Sequence, residues 1–125
     1  MMALDIGKLT TEGEALLQNF VDKMGLDGAI IATAEGLEMA NYFKSDKDAD
    51  LIAADTATLL SVLTSALENT GTGTLNEMII SADNGSIAIK DLGEDVAFAA
   101  IAPKGYKMGG LIVALKTFVK EIQAV

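Results

Sequence analysis

No cysteine, histidine, tryptophan or arginine occurs in the 125 residues, and all nine basic side chains are lysine. Each absence removes a class of chemistry. Without cysteine there is no disulfide and no thiol nucleophile. Without cysteine and histidine together there is no zinc site of the usual kind, no Ser-His-Asp triad and no imidazole base working near neutral pH. Without arginine there is no arginine finger and no bidentate guanidinium clamp for phosphate. What remains is Asp, Glu, Lys, Ser, Thr, Tyr and the backbone amides. The expectation is that the chain is not an enzyme, and no catalytic, cofactor-binding or metal-ligating residue stands out.

Positive charge is scarce as well. Eighteen acidic residues against nine lysines leave a net charge of −9, and the pI lies near 4.2. Nucleic acids and anionic lipid surfaces are bound by neutralising phosphate, so neither is an expected partner. The start, Met1 to Lys8, lacks the basic opening and long apolar stretch of a secretory leader. The longest uninterrupted apolar run, Val96 to Ala102, is far short of the ~20 residues that span a bilayer. These readings point to a cytoplasmic protein with no direct membrane insertion. Half of the residues are apolar and 22% are charged, which supports one compact domain over residues 1–125 and excludes disorder.

The hydrophobic pattern then gives the elements. Thr11-Glu12-Gly13-Glu14 reads as a capping box for a helix over about residues 11–24, with Leu16, Leu17, Phe20, Val21 and Met24 at helical spacing and Gly25 as its stop. Gly28 to Thr33 and Leu37 to Tyr42 are short apolar runs joined by Ala34-Glu35-Gly36, a hairpin pattern. A second helix is expected over about 46–69, ending at Gly71. Thr74 to Ala82, Ser86 to Leu92 and Val96 to Ala102 read as three strands, with Asp83-Asn84-Gly85 as a strong turn signal. A last helix spans about 107–124, its apolar stripe formed by Leu111, Ile112, Leu115, Phe118, Val119 and Ile122. The order is α-β-β-α-β-β-β-α, an α+β class. In the last strand both faces are apolar, so a five-stranded antiparallel sheet with helices on both faces is the predicted architecture.

Motifs that invite a ligand fall short on spacing. Gly105 and Gly110 have the interval of a phosphate-binding loop, but Leu111 and Ile112 follow where Lys and Ser or Thr are needed. Close approach of the last helix to the sheet is the better account of Gly109 and Gly110. Asp46, Asp48 and Asp50 alternate like a calcium loop, yet Leu51 and Ala57 stand where its glycine and its bidentate glutamate belong.

Two features ask for more than a solitary fold. The second helix carries two apolar stripes where a surface helix carries one. The third strand, with Leu75 and Ile79 on one face and Met78 and Ile80 on the other, has little Lys or Pro to protect it at a sheet edge. A second copy of the chain would cover both. The expected dimer interface is Leu59, Val62, Leu63 and Ala66 with Leu75, Met78, Ile79 and Ile80.

Gly28-Ala29-Ile30-Ile31 with Glu35-Gly36-Leu37, the long Ala/Leu-rich second helix, Glu77-Met78-Ile79-Ile80, Asp83-Asn84-Gly85 and Gly109-Gly110-Leu111 together resemble the Roadblock family in order and spacing. The likeness covers nearly the whole chain and includes no catalytic signature. It implies a profilin-like or longin-like fold and a dimer built on the second helix and third strand. It also implies a non-enzymatic regulator or scaffold for Ras-like small GTPases. Lacking arginine, a GTPase activator of this kind would have to reposition the GTPase's own residues. Having no extensions beside larger adaptor members, the chain is expected to form a simple homodimer. Asp48, Asp55 and Thr58 are the expected partner surface, suited to a basic patch. The alternative from another class is a small-molecule-sensing domain of similar sheet-and-helix architecture.

Overall fold

The structure, a computed structural model, describes residues 5–124; Met1 to Leu4 of the amino-terminal stretch, and Val125, lie outside it. The elements are α1 (Ile6–Met24), β1 (Gly28–Thr33), β2 (Glu38–Phe43), α2 (Ala49–Thr70), β3 (Met78–Ala82), β4 (Gly85–Gly93), β5 (Val96–Pro103) and α3 (Met108–Ala124). The five strands form one sheet in the order β2-β1-β5-β4-β3, and every neighbouring pair is antiparallel. The architecture is the one expected from the sequence.

Strand alternation divides the apolar residues between two cores. On one face Ala29, Ile31, Ala88, Phe98 and Ala100 meet Leu17, Phe20, Leu115 and Phe118 of α1 and α3. The phenyl rings of Phe98 and Phe118 stack at 4.0 Å, with Phe20 tilted against Phe118 at 4.9 Å, arrangements that add to the burial of the rings themselves. On the other face Ile30, Ala32, Ile89 and Ala99 meet Ala53 of α2. Odd and even positions of one strand serve different cores, which is why β1 and β5 read as continuous apolar runs.

Several local expectations are corrected. α1 begins five residues before the Thr11 box. Its N-cap is Asp5, whose carboxylate accepts from the Lys8 amide at 3.0 Å, while the Thr11 hydroxyl donates back to the Gly7 carbonyl at 3.0 Å. α2 begins at Ala49 because Asp48 caps it, accepting from the Leu51 amide at 3.1 Å. β3 begins at Met78, not Thr74. Pairing to β4 stops at Met78 opposite Ile89, and the next residue, Lys90, turns its ammonium to the Asn76 carbonyl at 2.8 Å. Leu75 therefore precedes the strand. The Asp83-Asn84 hairpin forms, with Ala82 opposite Gly85. In the next turn Gly93, Glu94 and Asp95 have positive φ in succession.

Gly109 and Gly110 do not bring α3 close to the sheet. A Cβ on Gly109 would meet nothing within 4 Å, and one on Gly110 only the Tyr106 ring at 3.5 Å. The close approach belongs to Gly13 of α1, where a Cβ would come within 2.5 Å of the Ala40 Cβ on β2. Gly36 holds the β1–β2 turn at φ 92°, where a Cβ would lie 3.2 Å from the Ala54 Cα of α2.

Candidate interaction face on helix α2 and strand β3

Helix α2 is seated by its first half and bare along its second. Ala53, Thr56 and Ala57 are its buried residues, and none from Thr58 to Thr70 is buried. The one buried hydroxyl is satisfied locally, Thr56 donating to the Ile52 carbonyl at 2.8 Å. Yet the bare half is not polar. Residues 56–67 contain no charged side chain, and Asp55 and Glu68 bracket the stretch. By length and composition this 22-residue helix is apolar enough to cross a membrane, with 17% of its most apolar window buried. The first half nevertheless lies on the sheet.

Among the described residues β3 ends the sheet, with β4 on one side and no strand on the other. Its unpaired backbone groups need a partner or water. Leu59 and Met78 pack in the α2-side core, where Leu60 joins them. Leu63 and Ile80 are half-buried, Ala66 is exposed, and Val62 is 62% exposed. Ile79 points to the opposite core, under α1 and α3. Leu75, though outside the strand, lines a groove of about 420 Å³ with Thr64 and Leu67 of α2. Of the eight expected residues the fold brings Leu59 and Met78 into one core and sets Leu75 against the end of α2, while Ile79 lies behind the sheet.

The three expected partner residues lie along the same helix. Asp48 spends one carboxylate oxygen on the cap, Asp55 is exposed, and the exposed Thr58 hydroxyl donates to the Ala54 carbonyl at 2.9 Å. Asp48, Asp55 and Val62 follow one another at seven-residue intervals and share a face. Leu51, 59% exposed, falls within that stripe. Periodicity alone does not say which of the two apolar stripes of this helix meets the sheet.

The other flank of α2 forms a groove of about 480 Å³ against the β4–β5 turn. Leu60 and Val96 are among its apolar lining, and Glu68, Asp91, Glu94 and Asp95 supply four carboxylates. The turn is shaped by a register shift between Asp91 and Gly93, where the Gly93 amide donates to the Asp91 carboxylate at 2.8 Å. The groove's acids come from positions up to 27 residues apart, and only the fold brings them together. Among the described residues no group of three or more is arranged to hold a metal ion.

The sequence profile of the Roadblock/LC7 domain matches residues 12–102. A Roadblock/LC7 domain from Streptomyces avermitilis superposes with a TM-score of 0.78 at 19% identity, covering 89% of this chain and 94% of that one. MglB of Myxococcus xanthus superposes at 0.82 with 13% identity, covering 91% and 94%. The gliding protein MglB of Thermus thermophilus reaches 0.80 at 13%, covering 98% and 93%. A further structure describes MglB in a tetrameric arrangement. No curated protein sequence matches.

Proposed function

The chain belongs to the Roadblock/LC7 domain family, and from that premise we propose that it is a homodimeric regulatory or scaffold module that binds a Ras-like small GTPase. One observation carries the reading. The uncharged second half of α2 has no buried residue, and β3, whose Met78 shares a core with Leu59 of α2, is an open edge of the sheet. Each Leu or Ile fully buried by a partner contributes roughly 1.5–3 kcal/mol, against an association cost of about 4–15 kcal/mol. Leu59, Leu63, Met78 and Ile80 are already half-buried and gain only part of that; with the exposed Val62 and Ala66, and counted twice by symmetry, the six are of the order of that cost. Leu75 and Ile79 flank the same edge.

The partner surface is the first half of the outer stripe of α2, where Leu51 supplies an apolar anchor between Asp48, Asp55 and Thr58, ahead of the Val62 that the dimer covers. Paired in a dimer, two such stripes present acids to a basic patch. With no arginine in the chain, the module acts on the GTPase by holding or reshaping it and contributes no guanidinium to its active site. That is a regulatory role, carried out by contact and not by catalysis.

The test is capture of a nucleotide-loaded small GTPase from native lysate on the immobilised protein, identified by mass spectrometry and repeated with D55K. Wild type is expected to retain a GTPase, and D55K to retain about tenfold less, the usual scale for a reversed interface charge. A lysate that yields no GTPase, or equal retention by D55K, overturns the reading.

A further inference from the structure

The lysines are unevenly placed. Residues 104–120 hold Lys104, Lys107, Lys116 and Lys120 and no acid, whereas the remainder holds five lysines against all 18 acids. One segment of charge +4 is thus attached to a body of charge −13. None of the four lysines takes part in an ion pair among the described residues; the pair found there joins Lys23 to Glu121. On α3 two of them stand in an apolar surround. Lys116, Lys120 and Val113 are exposed, with Ile112 and Val119 half-buried between them. Val113 is 59% exposed, and these positions recur at the three- and four-residue spacing of one helix face. This face lies on the far side of the sheet from α2, whose core is separate.

The groove between α2 and the β4–β5 turn has the opposite character. Leu60 and Val96 form apolar walls, and Glu68, Asp91, Glu94 and Asp95 contribute four carboxylates with no lysine among the lining residues. It opens on the flank of α2 turned away from Leu59, Val62, Leu63 and Ala66, so covering that stripe leaves the groove accessible. The exposed Val113 beside two lysines faces the half-buried Leu60 among four carboxylates, so apolar meets apolar and charge meets opposite charge.

We propose that the outer face of α3 is a second docking surface, and that its occupant is the acidic groove of another copy of this chain. The two patches differ, so the contact is heterologous and joins copies head to tail. It stands apart from the proposed α2–β3 dimer, which is apolar and self-complementary. A charge-matched contact weakens as salt screens it, the Debye length falling from roughly 30 Å at 0.01 M to about 8 Å at 0.15 M. The apolar contact is far less sensitive.

Sedimentation velocity of the full chain across that salt range separates the two. At low salt, species larger than a dimer are expected, dispersing to the dimer as salt rises. The K116E/K120E double variant should lose them, with association weakened about tenfold or more, and keep the dimer. E68K/D91K on its own should also lose the larger species, since its groove no longer offers four carboxylates to the lysines; larger species that persist in E68K/D91K place the contact elsewhere and overturn the proposal. In the V62D background the dimer is removed and salt-sensitive association should persist, which distinguishes failure of this contact from failure of the dimer. Wild type showing nothing above the dimer at low salt overturns the proposal, as does an unchanged distribution in K116E/K120E. Lysine-dependent binding to anionic vesicles without salt-sensitive self-association overturns it too, and assigns the face to lipid.

Discussion

At the residue scale, polar groups are satisfied locally and small residues decide approach. Thr10, Thr11, Thr56, Thr58, Thr64, Thr70 and Thr117 all donate a hydroxyl to the carbonyl four residues back, which lets helices rich in threonine present a surface with few free donors. Tyr106 makes a longer connection. Its hydroxyl donates to the Met24 carbonyl at the end of α1 at 2.7 Å, and burial raises the phenol above its ordinary 10.0. The unfolded chain therefore ionises Tyr106 first, so its contribution is complete below pH 10 and is lost as pH rises beyond it. Tyr106→Phe should cost about 0.5–1.5 kcal/mol near neutral pH. Urea unfolding at about pH 7 and about pH 10.5 should show that gap shrinking at the higher value, as the phenol begins to ionise. A gap of constant size would refute the role.

At the scale of elements, the informative contrast lies within α2. Its first half, capped by Asp48 and seated by Ala53 and Ala57, belongs to the domain's own core; its second half adds no buried residue. A substitution there should leave the fold of one chain nearly intact and act on association. Val62→Asp places a charge in the centre of the uncharged stretch, where exposure keeps the cost to the isolated fold within about 0.5 kcal/mol. Sedimentation equilibrium should find V62D at the 13.0 kDa mass of one chain while wild type is twice as heavy, and L51D, on the outer stripe, should remain paired. A V62D protein of doubled mass would refute the interface.

At the scale of the whole molecule, a net charge of −9 on 125 residues makes the compact state repel itself. Raising sodium chloride from about 0.01 M to about 0.15 M shortens the Debye length from roughly 30 to 8 Å, and the melting temperature should rise by about 2–6 °C. Differential scanning calorimetry on the V62D background keeps association out of that measurement. A flat or falling melting temperature would mean that the acids are already offset within the fold. The same charge favours, for a face that meets its own copy, a stretch such as 56–67, which carries none.

The alternation of apolar residues, the glycine stops at Gly25 and Gly71 and the spacing of the short runs were sufficient to read the element order and the antiparallel sheet, because those are properties of nearest neighbours along the chain. The apolar excess on α2 and the vulnerable β3 were legible for the same reason. Helix starts were less so, since Asp5, Thr11, Asp46 and Asp48 all have capping side chains and only the folded backbone selects among them. Which stripe of α2 meets the sheet, which glycine permits close approach, and the assembly of Glu68, Asp91, Glu94 and Asp95 around one groove were decided by tertiary structure alone. Those facts depend on distances between residues remote in sequence, and such distances exist only once the sheet has been built.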